Sequence, residues 1–397
     1  MIKCISSEKI PIKMWLDDIE YEALTQANNL ANLPFAFKHI ALMPDSHYGY
    51  GMPIGGVLAT KGVIVPNAVG VDIGCGMCAI KTSLIEITQE QIKVLFGGSK
   101  DFKGGLRTII PVGMNRHSDK QDESLMPDKN VLMDVDMSIV GAEYQSALKQ
   151  IGTLGSGNHF IEIQKGSDGH IWIMIHSGSR NFGLKIAKHY NEIAKHLNER
   201  WHSGVPSNWD LAFLPLDSTE GQAYLVEMKY AVDFALANRR LMMDRICEEL
   251  KKLFPSIKFD PMINIAHNYA KMENHFGENV MVHRKGATLA TEDTIGIIPG
   301  SQGSKSYIVQ GLGNPESFKS CSHGAGRKMS RTKAKENLNL ADEIKKMNDK
   351  GIVHGIRNKN DLDEAAGAYK DISVVMNNQS DLVKILVELE PLGVIKG

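Results

Sequence analysis

The chain has 397 residues, with 45 Lys and Arg against 46 Asp and Glu and a formal net charge of −1. That balance excludes capture of nucleic acid by the field of the whole molecule, so a polyanion must be held by a local basic surface. With 43% hydrophobic residues it can bury a substantial core. No stretch approaches the ~20 apolar residues of a membrane span, and the N-terminus has no apolar run of signal type, so a soluble cytoplasmic protein is expected. The five cysteines, an odd and sparse set, argue against a disulfide framework and turn attention to metal or catalytic use.

In chain order, the first predicted strands are His39–Met43 and Gly62–Val65, short β-branched runs between glycine-rich turns. His47, between them, reads first as a buried structural histidine and second as a residue that reaches the site. Next comes Val71-Asp72-Ile73-Gly74-Cys75-Gly76-Met77-Cys78. Asp72 and Cys75 lie three apart in a tight turn, where a carboxylate and a thiolate can face one cation; small buried cysteines beside glycine are as often packing. Cys75 and Cys78 also spell CxxC, yet no second CxxC completes a four-cysteine zinc site.

The turn Gly155-Ser156-Gly157-Asn158 can form a backbone anion nest, and it leads through His159 into a predicted strand, His159–Ile163. A strand over Ile171–Ile175 ends at His176-Ser177-Gly178-Ser179-Arg180, which packs His, two hydroxyls and Arg into five residues. Phosphate or metal contact explains that composition better than packing does. Two helices follow: one with a stripe from Leu184 to Leu197, the other from near Thr219 to about Leu253, with Thr219 and Gln222 at capping-box spacing. His267 stands among polar neighbours in Asn264–Tyr269. After a strand over Ile295–Ile298 comes Pro299-Gly300-Ser301-Gln302-Gly303-Ser304-Lys305-Ser306, a candidate phosphate loop without Walker A order. Cys321-Ser322-His323-Gly324-Ala325-Gly326-Arg327 and Arg331 add a histidine and two planar donors suited to phosphate. A weaker helix ends near Gly351. The histidines His170, His189, His196, His202 and His275 read as solvated surface residues.

Strands and helices mix without regular alternation, which predicts an α+β fold, and nothing marks a clean domain boundary. Sulfur, nitrogen and oxygen donors together suit zinc, iron or manganese, with carboxylate and water contacts tilting toward manganese.

Taken together, PDSHYGYGMPIGG, GVDIGCGM, GTLGSGNHFIE, HSGSR, NIAH, PGSQGSKSY, CSHGAGR and the terminal VIKG resemble the RtcB family of RNA ligases, in family order from Pro44 to Gly397. The resemblance implies a single ligase domain over 1–397, with mixed and antiparallel sheets flanked by helices. It implies that Asp72, Cys75, His159, His176 and His267 hold two Mn2+ ions, the thiolate shared, and that His323 becomes linked to GMP. It places Asn158, Glu162, Asn268, Pro299, Gly300, Ser301, Gln302, Ser306, Gly324, Ala325, Gly326 and Lys396 around the GTP-derived nucleotide. Arg180, Arg327 and Arg331 fall near phosphates or the RNA end, and Cys78 is left to packing. The implied reaction joins a 3′-phosphate or 2′,3′-cyclic phosphate RNA end to a 5′-hydroxyl end through an RNA-pp-G intermediate, in tRNA splicing or RNA repair, with archease as a possible activating partner. The rival readings are a metal-dependent phosphodiester hydrolase, which leaves His323, Arg327 and Lys396 unexplained, and a non-catalytic RNA-binding protein with a structural metal.

Overall fold

The structure, a computed structural model, describes residues 1–99, 104–128 and 138–397. Two large sheets dominate an α+β architecture. The first has six strands, with Ala36–His47, Ile54–Thr60, Glu278–Lys285 and Asn268–His275 hydrogen-bonded in that order; a parallel pairing of Ile12–Met14 with Ala36–His47 makes it mixed. The second has seven strands, all paired antiparallel: Ile263–Ala266, Gly76–Lys81, Ile171–Ser177, Phe160–Gly166, Val383–Lys396, Ser306–Gly311 and Ile295–Ile298. Its two edge strands approach each other, so the sheet nearly closes.

The strand Ile171–Ser177 is buried along its whole length, which accounts for its unbroken apolar run. Above it and Gly76–Lys81 lies the 35-residue helix Thr219–Leu253, contributing Met242, Met243, Ile246 and Leu250 to the core beneath. This helix has the bounds that the sequence suggests, with its cap one residue before the capping-box candidate Thr219. Ser218 is the N-cap, its hydroxyl accepting from Gly221 N, while Gln222 donates to Leu216 O instead of closing a box. The other predicted helices are Asn181–Arg200 and Leu340–Asp349.

The predicted strands all form, most of them longer than expected, but Gly62–Val65 shrinks to Val63–Ile64. His275 is buried, not solvated: its Nε2 meets Glu273 at 2.9 Å, and Glu273 also pairs with the fully buried Arg284. No helix among the described residues is long and apolar enough to cross a membrane.

The register explains where the polar clusters go. Gly76 pairs with both Ser177 and Ala266, Phe160 pairs with His176, and Lys396 pairs with Phe160. Five strands therefore present their polar ends together at one end of the seven-stranded sheet. His267 is the single residue between Ile263–Ala266 of that sheet and Asn268–His275 of the six-stranded one. The chain crosses from sheet to sheet at a candidate ligand.

Candidate metal and nucleotide site

Four loops meet at that end, and two neighbours on the long helix tie them. Asn238 accepts from Gly152 N and Thr153 N and donates to Thr153 O, Ser177 Oγ and Gly178 O. Arg239, fully buried, donates to Gly74 O, Ser177 O, Ile265 O and the Asn264 side chain. A buried guanidinium bonded only to carbonyl and amide oxygens retains unbalanced charge. Here that charge lies beneath the turn carrying Asp72 and Cys75. Sequence reading missed both residues, because a polar pair inside a long helical stripe looks like its solvent face.

The donor atoms form a chain of short contacts. Asp72 Oδ2 is 3.3 Å from His159 Nε2, Cys75 Sγ is 3.5 Å from His159 Nε2 and 3.2 Å from His176 Nε2, and His176 Nε2 is 3.4 Å from His267 Nε2. His159 and His176 each donate Nδ1–H to a main-chain carbonyl, Leu154 O and Asn158 O, which leaves their Nε2 lone pairs aimed inward. Burial and neighbouring imidazoles hold His176 and His267 well below the ordinary range, so both are neutral. Burial, and then Asp72, push the Cys75 thiol well up, while Asp72 itself, despite burial, is drawn to about 2 chiefly by the His159 ring beside it.

Inward-facing lone pairs with too few protons between them repel one another. A cation removes that repulsion and deprotonates the thiol. Cys75, His159 and His176 have donor atoms within 4.8 Å of one another and can hold a metal ion. Asp72 and His267 extend the set on either side, and His267 Nδ1 is buried with no partner among the described residues. The donor set fits a metal centre.

Beside it opens a cavity of about 870 Å3, within the range of small-ligand sites. Asn158, Glu162, His176, Pro299, Gly300, Ser301, Gln302, His323, Gly324, Ala325, Gly326, Arg327, Arg331 and Lys396 line it. His323 follows the short strand Ser320–Ser322, and its ring centroid is 4.7 Å from that of His267. Its Nδ1 lies 2.6 Å from Asp45 Oδ2, which also accepts from the main-chain N–H groups of His323 and Gly324. Asp45 is fully buried at the end of Ala36–His47. Sequence reading singled out no role for it; the signal was a carboxylate in a segment with no apolar reason to be buried. Gly326 and Gly286 allow this close fit. Both have positive φ, and a Cβ would come within 2.3 Å of Asp45 O at Gly326 and 2.9 Å of His323 Cε1 at Gly286.

The chain matches the family model described as tRNA-splicing ligase RtcB over residues 26–397. It is 40% identical to the RNA-splicing ligase RtcB of Escherichia coli strain K12, across 99% of both chains. The chain belongs to the RtcB family of RNA ligases. It is also 32% identical to the tRNA-splicing ligase RtcB of Nanoarchaeum equitans, across 100% of this chain and 95% of that protein. Similarity extends to RNA-splicing ligase RtcB homolog 1 of Entamoeba dispar, at 35% identity over 94% of this chain and 81% of that protein.

Not every residue singled out in this RtcB sequence faces the cavity. Glu162 does: burial pushes its carboxyl up to about 8, against a hydrogen bond from Gln164, which also donates to Ser306 Oγ at 3.2 Å. Ser306 accepts from Gly300 N and so braces the Pro299–Gln302 turn from behind. Asn268 is spent on structure, donating to Asp72 O and accepting from Gly286 N. Arg180 lies behind the Gly155 turn, bonded to Thr153 Oγ1 and Gly113 O, with a strained φ of 57°. Arg327 has every nitrogen engaged, with Met329 O, Glu364, Tyr369 and Asp363 O. Arg331 offers Nε to Glu364, and its other nitrogens have no hydrogen-bond partner among the described residues. Cys78 is fully buried in the core under the long helix.

Proposed function

We propose that this RtcB protein joins RNA 3′-phosphate or 2′,3′-cyclic phosphate ends to 5′-hydroxyl ends, using GTP and passing through GMP bound to His323. The whole of 1–397 acts as one ligase domain, because the site draws loops from both sheets. One observation carries the reading: Asp45 fixes His323 Nδ1 at 2.6 Å, which leaves Nε2 as the nucleophilic atom beside a cavity and a metal-type donor set. A purely structural metal site has no use for a histidine held in that way beside an open cavity, and a hydrolase that used it as a base would form no stable GMP–histidine bond.

Three substitutions at phosphorus follow. His323 Nε2 attacks the α-phosphorus of GTP, and pyrophosphate leaves; the Asp45 carboxylate stabilises the cationic ring that forms. The RNA 3′-phosphate then attacks the GMP phosphorus and releases His323, giving RNA-pp-G. Finally the 5′-hydroxyl attacks the RNA phosphorus, and GMP departs. A 2′,3′-cyclic end is first opened by hydrolysis.

Cys75, His159 and His176, with Asp72 and His267 on either side, would hold two Mn2+ ions, and bound manganese would neutralise charge developing on the phosphates. Asn158, the Pro299–Gln302 turn, the Gly324–Gly326 turn and Lys396 surround the nucleotide. Buried Glu162 suits the N–H edge of guanine, which would offset the cost of burying a carboxyl. Arg331 is best placed for the RNA phosphate, while Arg327 serves as its brace.

The test is incubation with α-labelled GTP and MnCl2. A covalent label that is acid-labile, alkali-stable and absent from His323→Ala is expected. No label on metal-loaded protein would overturn the ligase reading in favour of hydrolysis.

A further inference from the structure

His47 and His323 are fastened to the same residue. His323 Nδ1 meets the Asp45 carboxylate at 2.6 Å, and His47 Nδ1 donates to the Asp45 main-chain carbonyl at 2.9 Å. Both rings line the cavity, and both are thereby fixed with Nε2 as the free nitrogen. Among the described residues, nothing bonds His47 Nε2, nor is that atom among the sealed-off polar atoms of the interior. Burial, against the pull of the Asp45 carbonyl, takes the ring down to about 4, so it is neutral and can only accept. A fixed acceptor facing a cavity otherwise rich in donors calls for a substrate hydroxyl.

The proton balance says which hydroxyl. The first nucleophile is a neutral imidazole and the second a phosphate oxyanion; neither must shed a proton to attack. Of the three nucleophiles that act once a 3′-phosphate is in place, only the 5′-hydroxyl of the sealing step must. The carboxylates lining the cavity are already committed or misplaced for this. Glu364 accepts from Arg327, Arg331 and Tyr369, Glu162 is bonded to Gln164, Glu20 accepts from Tyr48 N, and Glu22 stands exposed to solvent in the first turn of the helix Tyr21–Ala31. Tyr48, next to His47, also lines the cavity and is 55% exposed, a face on which the base of an entering strand can stack.

We propose that His47 Nε2 accepts the hydrogen bond of the attacking 5′-hydroxyl and takes its proton as the RNA is sealed. The new bond joins O5′ to the RNA 3′-phosphorus, the bond from that phosphorus to the GMP oxygen breaks, and the electron pair leaves with GMP. The proton stays on His47 until solvent removes it. The negative charge of the phosphates stabilises the protonated ring as it forms. This inference rests on the RNA-pp-G pathway proposed above.

The test separates the steps: labelling of His323 by GTP, transfer of GMP to a 3′-phosphate RNA with no acceptor strand, and sealing of preformed RNA-pp-G to a 5′-hydroxyl RNA. His47→Ala should label and transfer within about threefold of wild type, which also shows that it folds. It should seal about 100-fold or more slowly, the range of a lost proton acceptor, with RNA-pp-G accumulating. His47→Gln, which keeps an acceptor but cannot take a proton, should show the same division. Sealing at the wild-type rate in both variants, or a parallel loss of all three steps in both, would overturn the assignment. A wild-type protein that never takes the label sinks the pathway and this inference with it, and so tells the two failures apart.

Discussion

The site holds two kinds of histidine, distinguished by what grips Nδ1. His159 and His176, on the seven-stranded sheet, donate Nδ1–H to the carbonyls of Leu154 and Asn158. His323, on the opposite wall, has the Asp45 carboxylate. A carbonyl fixes the tautomer and leaves the ring neutral, as a metal ligand needs. A carboxylate would additionally stabilise the cation formed if Nε2 bonds to phosphorus as proposed, a charge-assisted contact roughly twice as strong as a neutral one. The same residue type, differing by one partner atom, is thus suited to holding a cation on one wall and to becoming one on the other.

Removing the atom on which the first wall converges should have the largest effect. Cys75 is 2% exposed and touches both His159 and His176. Cys75→Ala should abolish manganese binding and, with it, labelling, transfer and sealing. Metal titration by elemental analysis checks this, and undiminished occupancy would count decisively against the assigned ligands. The opposite wall should respond differently. Asp45→Asn preserves shape and can still accept at Oδ1, but it loses the charge that stabilises the His323 cation. Labelling by GTP should slow by about 100-fold or more while manganese occupancy stays at wild-type level. Equal loss of metal in both variants would erase the distinction between the walls.

The two walls also differed in how far they could be read from sequence. Ligand-wall residues sit in glycine-rich turns beside strands, where composition marks His159, His176 and Cys75 as candidates; packing competes for Cys75 and His159, and the family resemblance decides for the ligands. The fold then shows why they meet: the pairings Gly76–Ser177, Gly76–Ala266 and Phe160–His176 are long-range registers that no local pattern encodes. Support for that wall was invisible, since Asn238 and Arg239 occupy ordinary helix positions and act through neighbours far away in sequence. On the other wall His323 was legible and Asp45 was not, because their contact spans 278 residues. Capping chemistry located the start of the long helix but pointed to Thr219 where Ser218 is the cap, and His275 reads as solvated because a lone polar residue in a strand does not reveal the Glu273–Arg284 pair that buries it.

A third way of aiming a charged group gives the smallest predicted effect. Glu364 is 2% exposed and accepts from Arg327 at 2.9 Å and Arg331 at 2.7 Å. Arg327 is fully engaged by its surroundings, whereas the Arg331 side chain is 53% exposed and Glu364 is its only hydrogen-bond partner among the described residues. Two effects of Glu364→Gln oppose each other. Losing a carboxylate makes the cavity one charge more positive, which alone would tighten RNA binding. It also weakens the bond that aims Arg331, whose half-exposed head then samples many directions in water. Screening reduces the first effect at physiological salt, and a long, freely rotating side chain makes the second costly. Aiming should win. RNA bearing a 3′-phosphate should bind about tenfold more weakly, equivalent to ~1.4 kcal/mol, in a fluorescence-anisotropy titration at 0.15 M salt. Tighter binding by Glu364→Gln would show instead that the cavity attracts the RNA end by net charge alone, and that Arg331 needs no carboxylate to direct it.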